Sequence, residues 1–145
     1  MRRRQLVQGL LAAGSQAVLG GEALAVSTRP AAGARARVVV VGGGYGGATA
    51  AKYLRLLSGQ ALDVVLIEPN ARFASCPMSN LVVSGMRSMA DITLPYDGLR
   101  RQHGVTLVHD RVSFIDAQKK SVALAGGATI GYDKLVLSPG IELMF

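Results

Sequence analysis

Gly42, Gly44 and Gly47 occupy the three glycine places of G-x-G-x-x-G, in the run Arg37–Ala51 that reads R-V-V-V-V-G-G-G-Y-G-G-A-T-A-A. In such a turn the first glycine permits a tight passage from strand to helix, the second lets backbone approach a pyrophosphate, and the third lets the helix pack on the strand. The phosphates would rest on unpaired N–H groups at the helix N-terminus, where the macrodipole favours negative charge. Glu68 supplies the complementary group. It lies 21 residues past Gly47, close to the spacing of a carboxylate that accepts hydrogen bonds from an adenosine ribose. The same charge disfavours a 2′-phosphate, because two anions repel.

With 18 glycines in 145 residues, the motif by itself is weak, and the elements around it have to support it. Four valines before the turn form a buried strand. A helix is expected from Ala48 to Leu57, apolar at Tyr53, Leu54, Leu56 and Leu57, with Ala51 held close to the sheet. A second strand, Val64–Ile67, ends at Glu68. The alternative is a glycine-rich turn in an α/β domain that binds nothing.

Residues 68–80 read as a polar loop that carries Cys76, the only cysteine. A lone cysteine cannot form a disulfide within its own chain, so it is free, intermolecular or modified. As a small buried hydrophobe it would need no function. Its place on a loop directly after the ribose-binding strand end favours a cofactor-linked role.

Farther along, a helix is expected over Pro95–His103 and a strand over Val105–Val108. Short strands at Arg111–Ile115, Ser121–Ala125 and Ala128–Ile130 suggest an antiparallel meander. A buried strand, Lys134–Ser138, then leads into Pro139-Gly140. His103 and His109 have no motif partners and read as surface or capping residues.

The first 25 residues are a separate problem. Arg2, Arg3 and Arg4 precede a mildly apolar stretch, Leu6 to Leu19, and Ala23-Leu24-Ala25 is an A-x-A cleavage site, the pattern of an export signal. Arg3-Arg4-Gln5-Leu6-Val7 resembles a twin-arginine signal, which addresses proteins exported already folded. An ordinary secretory leader or a basic N-terminal helix is the alternative. Residues 26–36 read as a linker. The net charge of +7 falls to +5 without the leader, and the remaining arginines form no stripe, so nucleic acid is not an expected partner. No uncharged run of 18 apolar residues occurs, so no membrane span is expected.

The glycine turn, the meander and Y-D-K-L-V-L-S-P-G at 132–140 together resemble the FAD domain of two-dinucleotide-binding flavoproteins of the disulfide-reductase type, with Ser138-Pro139 in place of the usual Ala-Thr. Within that superfamily, V-V-V-V-G-G-G-Y-G-G-A-T-A-A-K-Y, L-I-E-P-N, C-P-M-S-N, Y-D-G-L-R and S-P-G-I-E-L most resemble flavoprotein subunits of flavocytochrome c sulfide dehydrogenases. The fold implied is a Rossmann-like α/β FAD-binding domain, a parallel sheet with a small antiparallel β-meander, over 37–145. The resemblance implies that Gly42, Gly44 and Gly47 hold the FAD pyrophosphate, that Glu68 holds the ribose, that Val112 meets adenine through its backbone, and that Gly140 approaches FAD. It further implies that Cys76 attaches FAD through a thioether to the 8α-methyl group. In such proteins sulfide is oxidised at the flavin and electrons pass to a c-type cytochrome subunit in the periplasm.

Members of that family are several hundred residues long and contain a second nucleotide-binding domain and a redox cysteine pair that this sequence does not include. The chain is therefore expected to be an incomplete N-terminal portion, poorly soluble or weakly flavin-retaining alone, and no catalytic acid, base or nucleophile is assigned. Three other readings stay open: a sulfide:quinone reductase or other NAD(P)/FAD-dependent oxidoreductase, a nicotinamide-dependent dehydrogenase, and a non-catalytic dinucleotide-binding remnant.

Overall fold

A computed structural model describes residues 35–141. The expected leader, and all of the linker except Arg35 and Ala36, lie outside the described residues. The first strand, β1 (Arg37–Val41), pairs in parallel with β2 (Asp63–Ile67) on one side and with β9 (Lys134–Leu137) on the other, and β5 (Thr106–Val108) extends the sheet beyond β2. Helix α1 (Tyr45–Leu57) crosses from β1 to β2, and α3 (Asp97–His103) leads into β5. A short hairpin of β3 (Arg72–Ala74) and β4 (Thr93–Pro95) encloses α2 (Ser79–Val83) and a 3-10 turn at Met89–Ile92. The meander is β6 (Val112–Asp116), β7 (Ser121–Leu124) and β8 (Thr129–Gly131), antiparallel throughout.

Valine fills β1 because both faces of this strand are covered, as a parallel strand between two layers requires. Val38 and Val40 face the helices and pack with Ala51, Val64, Leu66, Tyr96 and Val105. Val39 faces the meander and packs with Val65, Ile67, Val122, Leu124 and Ile130. One end of β1 is tied down by polar contacts: the Arg37 N–H donates to Asp133 at 2.7 Å and its guanidinium pairs with Asp63 at 2.6 Å. The other end opens into the glycine turn.

Several local expectations need correction. Helix α1 begins at Tyr45, three residues before the expected start, because Gly46 and Gly47 are drawn into its first turn. Its buried positions are Gly47, Ala51 and Arg55. Of the apolar residues expected to face the sheet only Leu54 packs on the core, whereas Tyr53, Leu56 and Leu57 are exposed. The reason is close approach at the start of the helix: a Cβ on Gly47 would lie 1.8 Å from the Gly42 carbonyl oxygen, and the i, i+4 line set there runs on through Ala51 and Arg55, which turns Tyr53, Leu56 and Leu57 away. Residues 68–80 are more ordered than a loop, since β3 and the start of α2 fall within them. Strand β9 is only half covered, with Leu137 exposed, because it forms an edge of the sheet among the described residues.

Candidate functional site

The glycine turn sits at the C-terminal ends of β1, β2 and β9, the edge of an open α/β sheet where ligands bind. Gly42 N–H donates to the Ile67 carbonyl at 2.9 Å, and Ser138 N–H donates to the Val41 carbonyl at 2.8 Å, so all three strand ends meet there. Gly42 has φ +95, and a Cβ on it would lie 2.0 Å from the Ser138 carbonyl oxygen. Both its backbone angle and its surroundings demand glycine.

Gly44 is different. It is the N-cap of α1, and a Cβ there would meet nothing within 4 Å. The first intrahelical bond joins Ala48 N–H to the Gly44 carbonyl at 2.9 Å, so the N–H groups of Tyr45, Gly46 and Gly47 have no helical acceptor. No acidic residue stands in the first turn. Open space before a row of free donors, at the positive end of a 13-residue helix, is what a diphosphate needs.

Glu68 closes the site from β2. One carboxylate oxygen accepts the Gly43 N–H at 2.7 Å, and the other accepts the backbone N–H and the side-chain amide of Asn70 at 3.0 and 2.8 Å. Tyr96 approaches from the far side and donates to the Gly43 carbonyl at 3.0 Å. Burial, and secondarily the nearby Glu68 charge, push the Tyr96 hydroxyl up to about 12, so it stays a donor at any physiological pH. Gly43 occupies a free position of the motif, yet a Cβ on it would lie 2.6 Å from the Tyr96 hydroxyl and 2.9 Å from Glu68 Cγ. Gly43, unlike Gly44, is thus hemmed in by protein atoms as Gly42 and Gly47 are. Gly46 is restricted likewise, by Ser138 Oγ at 2.8 Å.

Cys76 is exposed and has no disulfide partner. It follows Ser75, which is buried, donates its N–H to Ile92 at 2.8 Å and exchanges a short hydrogen bond with the Tyr45 hydroxyl. The Tyr45 ring meets Phe73 edge-on at 4.9 Å. Because Tyr45 is the first residue of α1, these contacts fasten the Cys76 segment beside the open N-terminus of that helix. Gly140 (φ +81) follows two residues after Ser138 and is exposed. Val112 packs against the cluster of Val39, Val65 and Ile67, the last of which directly precedes Glu68 in sequence. The structure therefore groups Gly42, Gly44, Gly47 and Glu68 directly, brings Cys76 and Gly140 to their margin, and links Val112 to them through the core.

His109 places its Nδ1 3.3 Å from the Glu68 carbonyl, and the His103 carbonyl caps α3 by accepting Arg55 Nε at 2.8 Å. Sequence reasoning missed Gly43, Tyr45, Asn70, Ser75 and Tyr96. Two signals were available: glycine at a free motif position, and the tyrosine that opens Y-D-G-L-R. Among the described residues no helix is long and apolar enough to cross a membrane.

Residues 36–143 match the family model described as pyridine nucleotide-disulphide oxidoreductase. Over 46 residues the chain is 59% identical to a sulfide dehydrogenase (flavocytochrome c) flavoprotein chain of Chlorobaculum thiosulfatiphilum, a match spanning 32% of this chain and 94% of that sequence. It is 32% identical over 108 residues to sulfide-quinone reductase of Aquifex aeolicus, spanning 74% of this chain and 25% of that protein. The X-ray structure of the sulfide:quinone oxidoreductase from the same bacterium superposes with a TM-score of 0.71 and 32% identity, covering 76% of this chain and 25% of that one. The chain thus spans about a quarter of the length of that relative.

Proposed function

The chain belongs to the pyridine nucleotide-disulphide oxidoreductase family, and we propose that it is the FAD-binding portion of a sulfide dehydrogenase flavoprotein. The observation that carries this reading is the fastening of the Cys76 segment to Tyr45 beside an open diphosphate cradle, together with 59% identity to a flavocytochrome c flavoprotein chain. FAD, when bound, supplies a two-electron sink.

The roles of the protein groups follow from their positions. The N–H groups of Tyr45, Gly46 and Gly47 bind the pyrophosphate, aided by the helix dipole. Glu68 accepts the adenosine ribose, and its charge selects against a 2′-phosphate. Gly140 keeps the backbone after β9 low enough for the cofactor to pass. Val112 presents backbone to adenine. Cys76 is poised as the thioether attachment point, which would retain the cofactor outside the cytoplasm.

In this reading sulfide is the reductant, a c-type cytochrome the electron acceptor, and the periplasm the compartment. The N-terminal pattern Arg3-Arg4-Gln5-Leu6-Val7 followed by Ala23-Leu24-Ala25 supports export by a twin-arginine route. A second reading, a sulfide:quinone reductase, is favoured by the likeness to the Aquifex aeolicus enzyme over three quarters of the chain.

Expression of the full chain with its leader, followed by desalting and absorbance spectroscopy, tests the cofactor. A flavin spectrum is expected, and selective NAD binding without flavin uptake would overturn the assignment. Sulfide-dependent reduction of added c-type cytochrome but not of a soluble quinone analogue, measured on a flavoprotein that carries this portion together with the redox cysteine pair, separates the two readings. Cell fractionation of the parent and of an Arg3→Lys, Arg4→Lys double variant tests export.

A further inference from the structure

The carboxylate of Glu68 is already crowded. A carboxylate offers about four acceptor positions over its two oxygens, and three are taken by protein donors: Gly43 N–H on Oε2, and Asn70 N–H and Asn70 Nδ2 on Oε1. One position remains, on Oε2. The 2′- and 3′-hydroxyls of a ribose make two donors.

We propose that the Asn70 side chain is a specificity-determining group that competes with one ribose hydroxyl for Oε1, so that the resting site reads only one hydroxyl of the diol. The proposal rests on the reading of Glu68 as the ribose acceptor. The backbone bond from Asn70 and the bond from Gly43 are fixed by the chain path, whereas the exposed Asn70 amide is held only by Glu68. It is the one donor of the three that can leave. Gly43 cannot move aside, because Tyr96 holds its carbonyl from the opposite face. Removing the Asn70 side chain therefore opens a second acceptor position without disturbing the other two bonds.

The experiment is calorimetric binding of ADP, 2′-deoxy-ADP and 3′-deoxy-ADP to the full chain and to its Asn70→Ala variant, with circular dichroism confirming an unchanged fold. In the parent, loss of one hydroxyl should weaken binding roughly tenfold, the scale of a hydrogen bond to a charged acceptor, and loss of the other should change it less than about twofold. In Asn70→Ala, ADP should bind several-fold more tightly and both deletions should matter. Weaker ADP binding by Asn70→Ala, or an unchanged pattern of analogue affinities, would overturn the proposal and make Asn70 a support for Glu68. If ADP binds the parent no better than inorganic phosphate while flavin uptake persists, Glu68 is not the ribose acceptor and the underlying reading fails first.

Discussion

The Tyr96 hydroxyl donates to the carbonyl of Gly43 at 3.0 Å while Glu68 takes the N–H of the same residue at 2.7 Å, so the free position of the glycine motif is clamped from both sides. Those two contacts come from segments 53 and 25 residues away in sequence. The clamp fixes the backbone that leads into the N-terminus of α1. Replacing Gly43 with alanine should push against the Tyr96 hydroxyl at 2.6 Å and Glu68 at 2.9 Å, costing about 1–3 kcal/mol as overpacking does. Denaturant titration should register the loss, and flavin uptake should fall with it. Gly44→Ala, which meets nothing within 4 Å of protein, should leave stability nearly unchanged and still lose flavin. Equal stability losses in the two variants would show that the open space at Gly44 is not a ligand cradle.

Tyr96 links the clamp to pH. Its ordinary value of 10.0 is raised to about 12 in the fold, chiefly by burial. The folded state therefore holds the phenolic proton more tightly than the unfolded chain does. The resulting stabilisation is complete below pH 10 and is lost as pH rises from 10 toward 12. Tyr96→Phe removes this dependence and leaves the Gly43 carbonyl without its donor, at a cost of about 1 kcal/mol at neutral pH. Urea midpoints measured on both sides of pH 10 should fall less steeply in the variant. Parallel curves would mean that another group carries the alkaline loss.

Cys76 gives a prediction independent of stability. It is exposed, and its neighbour Ser75 holds it to Tyr45, so Cys76→Ala should fold normally. Flavin should remain with the acid-precipitated parent polypeptide and be released from Cys76→Ala. Release from both would remove the thioether from the proposed function while leaving the dinucleotide site intact.

The parts of the site legible in the sequence are those fixed by local geometry. Gly42, Gly44, Gly47 and Glu68 stand out as candidates because strand, turn, helix and strand follow one another with set lengths, and the acid falls at the end of β2. The meander was legible because its turns carry Gly126-Gly127 and Asp116–Lys120 between alternating strands. The buried face of α1 was not. Hydrophobicity points to Tyr53, Leu56 and Leu57, but the approach of Gly47 to Gly42 fixes the buried stripe on the line through Gly47, Ala51 and Arg55 and leaves those three outside it. Tyr96 was harder to read as a site residue for another reason: the motif Y-D-G-L-R marks the tyrosine, but its partner lies 53 residues away, and the local pattern of 95–103 does not say what it touches.

Arg55 is the other surprise of α1, a residue only 6% exposed whose guanidinium pairs with carbonyls instead of a carboxylate. It donates to His103 O at 2.8 Å, to Gln60 O at 3.0 Å and to Leu62 O, and so joins the last turn of α1 to the end of α3. A cation there also opposes the negative ends of both helices. Arg55→Met keeps the apolar stem and deletes the donors, leaving part-buried carbonyls without them at about 1–2 kcal/mol. Gly104, with φ +65, presents a second route to the same contact, since a Cβ on it would lie 2.7 Å from the guanidinium. Gly104→Ala should therefore destabilise both by its backbone angle and by displacing Arg55. In Arg55→Met, Gly104→Ala the second of these costs has no object, so the double variant should be less destabilised than the two single losses added. Additive losses in denaturant titration would show that Gly104 matters only for its backbone angle, and that Arg55 holds α1 to α3 without help from the turn that follows.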